Sequence, residues 1–300
     1  MNDTKQDKQV VRSGFVAIVG KPNVGKSTLL NRLVGQKVAI VSNRPQTTRN
    51  RILGILTQDG CQFVFLDTPG LHRPRNKLGD YMVRQADSAV REVDLVLLVT
   101  EPTEQIDPVE FSVLKRSAAP VVLVINKVDT VKREALLGVI AAYAAVHEFE
   151  AVLPISARTG EGVDELLSVL VQQMPEGPAF FPTDAMTDQT ERQLLAEFIR
   201  EKALRILDKE VPHSVAVEIE RFEQRETGTV HVSAVIYCER ESHKGIIIGK
   251  GGAMLKRIAS SARVDMERLL GCKVFLEVFV KVKQNWRDSD AFLKNLGYTE

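Results

Sequence analysis

The chain is 300 residues long, a length that holds roughly two domains. Its apolar fraction of 44% and net charge of +1 at pH 7 agree with a soluble cytoplasmic protein. No stretch approaches the ~18 consecutive apolar residues of a membrane span, and the polar N-terminus lacks the apolar segment of a signal peptide, so residues 1–13 are expected to form a disordered tail.

Residues 15–19 are apolar and predict a strand, and residues 27–33 predict the start of a helix. Between them Gly20-Lys21-Pro22-Asn23-Val24-Gly25-Lys26-Ser27 fits G-x-x-x-x-G-K-[ST], a loop whose amides turn inward to cradle phosphates at a helix N-terminus. A chance glycine-rich turn would not need both flanking elements. Lys26 is expected to reach the β- and γ-phosphates, and the Ser27 hydroxyl to ligate Mg²⁺. The motif predicts a nucleoside-triphosphate site.

The segment Arg44-Pro45-Gln46-Thr47-Thr48-Arg49 is polar and aperiodic, which suits a mobile loop that closes on the metal when a third phosphate is present. Residues 51–58 and 61–66 flank Asp59-Gly60 and predict an antiparallel hairpin on an otherwise parallel sheet. The second strand ends in Asp67-Thr68-Pro69-Gly70. There Asp67 would hold Mg²⁺ through a water, and the Gly70 amide would touch the γ-phosphate. Residues 120–125 predict a buried strand ending in Asn126-Lys127-Val128-Asp129, at the carboxyl end where open α/β sheets bind ligands. The Asp129 carboxylate can accept from both N1–H and the 2-amino group of guanine. Adenine offers no such pair, so the residue selects GTP over ATP. Asn126 would brace the neighbouring loops and the Lys127 stem would lie over the purine. A strand over residues 151–155 delivers Ser156-Ala157-Arg158, with the Ala157 amide aimed at guanine O6.

These motifs, in this order, resemble the translation-factor-related class of P-loop GTPases. The resemblance implies bound GTP or GDP with Mg²⁺ held by Ser27, Thr48 and Asp67. It makes Thr48 the switch threonine, with Thr47 beside it as the alternative, and it places Lys26, Thr48 and Asn23 in catalysis. Leu71 stands where many such GTPases have a glutamine that orients the attacking water, a task an aliphatic side chain cannot perform. Asn23 fits two roles equally: coordinating K⁺ beside the phosphates, as in related proteins, or capping the loop with its amide.

Residues 163–173 predict an amphipathic helix, after which Pro175, Gly177, Pro178 and Pro182 stop helix continuation. The domains are therefore expected at 14–174 and 188–283, joined by a linker over 175–187 and followed by a tail over 284–300. Asp188 and Glu191 predict a capping box for a helix reaching about residue 207. Strands at 214–222 and 229–237 follow, then a short helix near 242–247, a glycine loop, a helix over 253–270 and a strand over 273–282, the order α-β-β-α-α-β. The loop is Gly249-Lys250-Gly251-Gly252. Residues 242–287 hold ten Lys or Arg against three acids, a one-signed block that argues for phosphate contacts in a chain near neutrality overall. Lys244, Lys250, Lys256 and Arg257 lie nearest the loop, and of the apolar run Ile246, Ile247 and Ile248 at least one is expected in the core, leaving the others as a shelf beside the loop. Cys61, Cys238 and Cys272 have no metal-ligand spacing and read as reduced thiols.

The loop and element order resemble a type II KH domain, whose G-x-x-G backbone clamps four single-stranded nucleotides. The expected fold is thus an α/β P-loop GTPase domain with a mostly parallel sheet, followed by a small α+β type II KH domain. The combination, with Lys281-Val282-Lys283-Gln284-Asn285-Trp286-Arg287 at the end, resembles a family of bacterial GTPases that carry one C-terminal KH domain. That resemblance implies binding of the 3′ end of small-subunit ribosomal RNA, assistance to small-subunit assembly, a monomeric state and peripheral contact with the inner membrane. Two other functions compete: a nucleotide-gated RNA scaffold in which hydrolysis only resets the state, and a tRNA-modification GTPase. The latter carries cofactor-binding domains and a C-terminal cysteine motif that this chain lacks.

Overall fold

Strand β1 (Arg12–Val19) leads through the glycine-rich loop into helix α1 (Lys26–Val34), in a computed structural model that describes residues 11–74, 76–226 and 228–298. Of the expected disordered tail, residues 1–10 lie outside the described residues, whereas Arg12 and Ser13 are already in the strand. The chain divides into two units, the first comprising Met1–Ala39, Thr48–His72 and Val83–Asp188, the second Ile40–Thr47, Arg73–Met82 and Gln189–Glu300.

In the first unit, β1 pairs with β3 (Cys61–Asp67) and β4 (Leu95–Thr100), and the sheet continues through β5 (Val121–Ile125) to β6 (Ala151–Pro154), all in parallel. β2 (Ile52–Gln58) is the antiparallel edge strand, paired to β3 through a turn at Asp59 (φ 51°) and Gly60 (φ 77°). The strand order is β2-β3-β1-β4-β5-β6. After β3 the chain forms α2 (Lys77–Ala89), and helices α3 (Pro108–Leu114), α4 (Arg133–Ala144) and α5 (Val163–Gln173) cover the faces, so β4 and β5 are buried throughout and read as unbroken apolar runs. Val16 and Ile18 pack with Leu29, Leu30, Leu166 and Leu170 on one face. Ala17 and Val19 pack with Val113, Val139 and Tyr143 on the other. The carboxyl ends of β1, β3, β5 and β6 carry the four nucleotide motifs.

The expected linker is not a bare connector. The Ile55 N–H of edge strand β2 donates to the Met186 carbonyl (2.9 Å), and the Thr187 hydroxyl donates to the Leu53 carbonyl (2.7 Å). The Gln62 amide accepts from the Phe180 and Phe181 amides at 2.8 and 2.9 Å. Residues 175–188 therefore belong to the first unit.

The second unit follows the expected order: α6 (Glu191–Ile206), β7 (Ala216–Gln224), β8 (Val230–Cys238), α7 (Glu241–Ile248), α8 (Ala253–Leu270) and β9 (Val274–Val282). The sheet order is β7-β8-β9, with β7 antiparallel and β9 parallel to β8. Its core joins Leu195, Phe198 and Ala203 of α6, Ile247 of α7, and Ile258, Ala262 and Met266 at i, i+4, i+8 of α8. The capping box is one of Thr190 with Gln193, displaced from the expected Asp188 and Glu191. Residues 284–298 are not a tail. Trp286 is fully buried, its indole N–H donates to the Ser214 carbonyl (2.8 Å), and α9 (Asp290–Asn295) packs Phe292 and Leu293 beside it. Trp286→Ala should therefore cost about 3–5 kcal/mol of stability in this unit, measured by urea unfolding; a loss near zero would contradict its place in the core.

Candidate GTP and RNA sites

The phosphate loop is organised by its own atoms and by Asn126. The buried Lys26 Nζ donates to the carbonyls of Gly20 (3.0 Å) and Lys21 (2.9 Å). Burial lowers its pKa to about 8, against the attraction of Asp67. Asn126 Nδ2 donates to the Val24 carbonyl (2.7 Å), while its Oδ1 accepts from the Ala157 amide (2.9 Å). Gly25 sits at φ 103°, and a Cβ there would meet Asn126 Nδ2 at 2.2 Å, so the motif's second glycine is required by this approach. Gly70 answers a similar need: a Cβ would meet the Pro22 backbone at 2.7 Å, and the next amide, of Leu71, donates to the Gly20 carbonyl (3.1 Å). The close approach expected of Gly70 toward phosphate is here an approach to the phosphate loop itself. Thr68 donates to the Ile18 carbonyl (2.9 Å), fixing Asp67-Thr68-Pro69-Gly70 to β1.

Ser27, Thr48 and Asp67 converge. Ser27 Oγ donates to Asp67 Oδ2 (2.6 Å) and lies 2.9 Å from Thr48 Oγ1, which is 3.4 Å from the same carboxylate oxygen. Thr47 is elsewhere, its hydroxyl bonded to Ser42 and to the Arg44 carbonyl, both at 2.6 Å. Asp67 Oδ1 is buried with no hydrogen-bond partner, and burial raises the carboxyl from its ordinary 3.8 to about 6, against Lys26, Ser27 and Thr48. An orphaned carboxylate oxygen beside two hydroxyls is a hard-oxygen set that fits Mg²⁺. Asn23 stands exposed at φ 66°.

On the base side, Asp129 accepts from Ser156 Oγ (2.6 Å) and from the Arg158 guanidinium (2.5 Å). The Ser156 bond, with the Arg158 charge, holds its carboxyl below the usual range. Lys127 adopts φ 66° and pairs its ammonium with Glu101, and the Val128 amide donates to the Ile155 carbonyl (3.1 Å). One expectation needs correction: the Ala157 amide is committed to Asn126, so it braces the loop instead of standing open for guanine O6.

The second unit presents the glycine loop between α7 and α8. Gly249, Gly251 and Gly252 all have positive φ, and Lys250, Lys256 and Arg257 are exposed. With Lys244, they have no ion-pair partner among the described residues. The rest of the basic block is partly neutralised, Lys281 by Glu220 (2.7 Å) and Arg287 by Glu239 (2.5 Å). Of the expected shelf, Ile247 is core, Ile248 is half-buried and Ile246 is exposed.

The segment before Thr48 is not loose. Val41 donates its amide to buried Glu201 (3.0 Å) and accepts from Arg205 (2.6 Å), Arg44 pairs with Asp208 (3.0 Å), and fully buried Arg200 donates to the Thr47 carbonyl. Neither Arg200 nor Glu201 is marked in the sequence, since on an amphipathic helix both read as ordinary solvent-facing charges.

Residues 15–127 match the family described as 50S ribosome-binding GTPase, and residues 210–287 match the KH domain family. The chain is 51% identical to GTPase Era of Ruminiclostridium cellulolyticum over 290 residues, covering 96% of this chain and 97% of the relative. It is 54% identical to that of Geobacter metallireducens over 293 residues, covering 96% and 98%. Among solved structures, an Aquifex aeolicus Era variant bound to GDP and AlF4⁻ superposes with a TM-score of 0.92 at 39% identity, covering 96% of this chain and all of that one. Era in complex with MgGDPNP and nucleotides 1506–1542 of 16S ribosomal RNA gives 0.93 at 39% identity, covering 97% and 100%.

The raised Asp67 value has a consequence with a definite sign. Between about pH 4 and 6 the folded, metal-free chain holds a proton that the unfolded chain releases, so this group's stabilisation is greatest in acid and lost as pH rises through about 6. Asp67→Asn should raise metal-free stability at pH 7.5, by something on the order of 1–3 kcal/mol, flatten the profile below pH 6, and remove the Mg²⁺ dependence of nucleotide binding. Unfolding midpoints and nucleotide titrations with and without Mg²⁺ check this; a midpoint that falls at pH 7.5 would contradict it.

Proposed function

Because the chain belongs to the Era family of GTPases, we propose that it hydrolyses GTP to gate the binding of single-stranded RNA at the 3′ end of small-subunit ribosomal RNA, and so assists small-subunit maturation. The observation that carries this is one chain holding both a complete guanine-nucleotide loop set and an unpaired basic G-x-x-G loop.

In this reading Gly20–Ser27 and Lys26 hold the phosphates, Ser27, Thr48 and Asp67 hold Mg²⁺, and Asp129 reads the guanine edge. Bound Mg²⁺ would neutralise charge on the β- and γ-phosphates. Asp129 discriminates because its two oxygens, already aimed by Ser156 and Arg158, would otherwise face an edge without donors. Leu71 turns its amide to Gly20 and offers no polar side chain to water, so hydrolysis needs another device. K⁺ held near exposed Asn23 supplies one. Gly249, Lys250, Gly251 and Gly252 clamp the RNA backbone, with Lys244, Lys256 and Arg257 adding phosphate contacts, and Ile246 is the shelf residue left for a base. The protein acts as a monomer in the cytoplasm. Its contact with the inner membrane is peripheral; among the described residues no helix is long and apolar enough to cross a membrane.

Gating has a physical handle. Residues Ile40–Thr47 pack within the second unit, and Thr48 follows directly in the metal cluster of the first. A ligand shifts an equilibrium only through its differential affinity for the two states, and coupling of about 1–3 kcal/mol corresponds to RNA binding roughly 5–150-fold tighter with GTP than with GDP. RNA affinity at fixed salt, with a non-hydrolysable GTP analogue and with GDP, measures this. Gly251→Asp should abolish RNA binding and spare GTP; Thr48→Ala should keep RNA binding and lose its nucleotide dependence. Equal affinities in both states would favour a scaffold whose domains are merely tethered.

The cation reading is tested separately. Replacing K⁺ by Na⁺ should slow hydrolysis more than it weakens GTP binding, and Asn23→Ala should remove that difference. Hydrolysis indifferent to the cation would leave Asn23 as a loop cap.

A further inference from the structure

Glu110 has no part in any nucleotide motif, yet its carboxylate on α3 is completely buried. An ionised carboxylate withdrawn from water is costly unless it is paired and hydrogen-bonded. Its Oε2 accepts from the Tyr143 hydroxyl (2.9 Å), and Lys21 Nζ lies 3.2 Å from Oε1 as a counter-charge, without an aligned hydrogen bond. Tyr143, on α4, is itself fully buried and lies 2.7 Å from the Thr100 hydroxyl at the end of β4. The proton directions follow. The carboxylate only accepts, so the single phenolic proton goes to Glu110, and Thr100 donates to the phenol oxygen.

The chain of contacts then closes on itself. The Thr100 carbonyl accepts from the Asn126 amide (2.8 Å), and Asn126 Nδ2 donates to Val24. A path that leaves the phosphate loop at Lys21 therefore passes through Glu110, Tyr143, Thr100 and Asn126, and returns to the same loop at Val24.

We propose that Glu110 and Tyr143 are positioning residues for nucleotide binding, a buried brace that holds the phosphate loop through the Lys21 side chain. The loop residue they grip is the one whose carbonyl receives Lys26 Nζ, at 2.9 Å. Displacing Lys21 thus displaces the phosphate-binding ammonium. Burial of Tyr143, with Glu110 beside it, pushes the phenol well above its ordinary pKa, which keeps it a donor across the working pH range. Stability alone does not account for the arrangement. Only the Glu110 end of the pair is buried, the Lys21 side chain being 29% exposed, and a buried charge is weak evidence for stability while its geometry is specific.

The test uses the full chain and reads two quantities for each variant: the release rate of a fluorescent GDP or GTP analogue, and the thermal midpoint without nucleotide. Glu110→Gln keeps an acceptor for Tyr143 and removes the charge. It should speed release about tenfold while leaving the nucleotide-free midpoint unchanged or higher. Tyr143→Phe keeps the ring and should speed release to a smaller extent. Lys21→Met should resemble Glu110→Gln, Lys21→Arg should restore slow release, and the double variant Lys21→Met with Glu110→Gln should release no faster than the worse single variant. Unchanged release in Glu110→Gln and Tyr143→Phe would overturn the proposal. So would release that rises only in step with a falling midpoint, or strictly additive effects at Lys21 and Glu110.

Discussion

The amide of Asn126 is the tie on which the nucleotide site depends. One planar group donates to the phosphate loop at Val24 and accepts from the loop after β6 at Ala157. Its own main chain leaves β5 through a hydrogen bond to Thr100 of β4. A side-chain amide offers a donor and an acceptor from one rigid terminus, which neither an ionised aspartate nor a leucine does. The absence of a Cβ at Gly25 is the counterpart of this tie, since the amide occupies the space a side chain would need. Two motifs far apart in sequence are thus two halves of one contact.

The same economy governs the metal side, where Asp67 is buried and held by two hydroxyls while one of its oxygens has no partner. A buried polar atom left without a partner calls for an explanation, and a bound ion is one. Completing it with a divalent cation makes ligand binding and local stability one quantity. The second unit works by a different principle. Its glycine loop is unpaired by exposure, and its long-range contribution is the grip of α6 on residues 40–47, made by Arg200, Glu201 and Arg205.

What the sequence disclosed and what it concealed divide along one line. Phosphate loop, Asp67-Thr68-Pro69-Gly70, Asn126-Lys127-Val128-Asp129 and Ser156-Ala157 are contiguous and end predicted strands, so local pattern and sheet topology locate them together. The α-β-β-α-α-β order was legible for the same reason. Glu110, Tyr143, Arg200 and Glu201 were not, because each is a single polar residue on a helix whose partner is remote in sequence. A 3.6-residue period assigns such charges to solvent. Residues 44–47, part of the stretch 44–49 that reads as a mobile loop, owe their order to Arg200 and Asp208, and none of it is encoded in their own periodicity. The burial of the Trp286 ring and its bond to the Ser214 carbonyl, 72 residues upstream, are likewise long-range and leave no local pattern.

The docked linker carries one more consequence. Strand β2 is a sheet edge, and its Ile55 amide and Leu53 carbonyl are satisfied by Met186 and Thr187. An edge that has lost such cover offers a ready template for another chain's strand. Cutting the protein at the end of α5, where composition alone would place the domain boundary, removes that cover and leaves a GTPase domain prone to self-association. Ending it at residue 188 keeps the edge closed, so the stretch that joins the two domains also acts as an aggregation guard for the first.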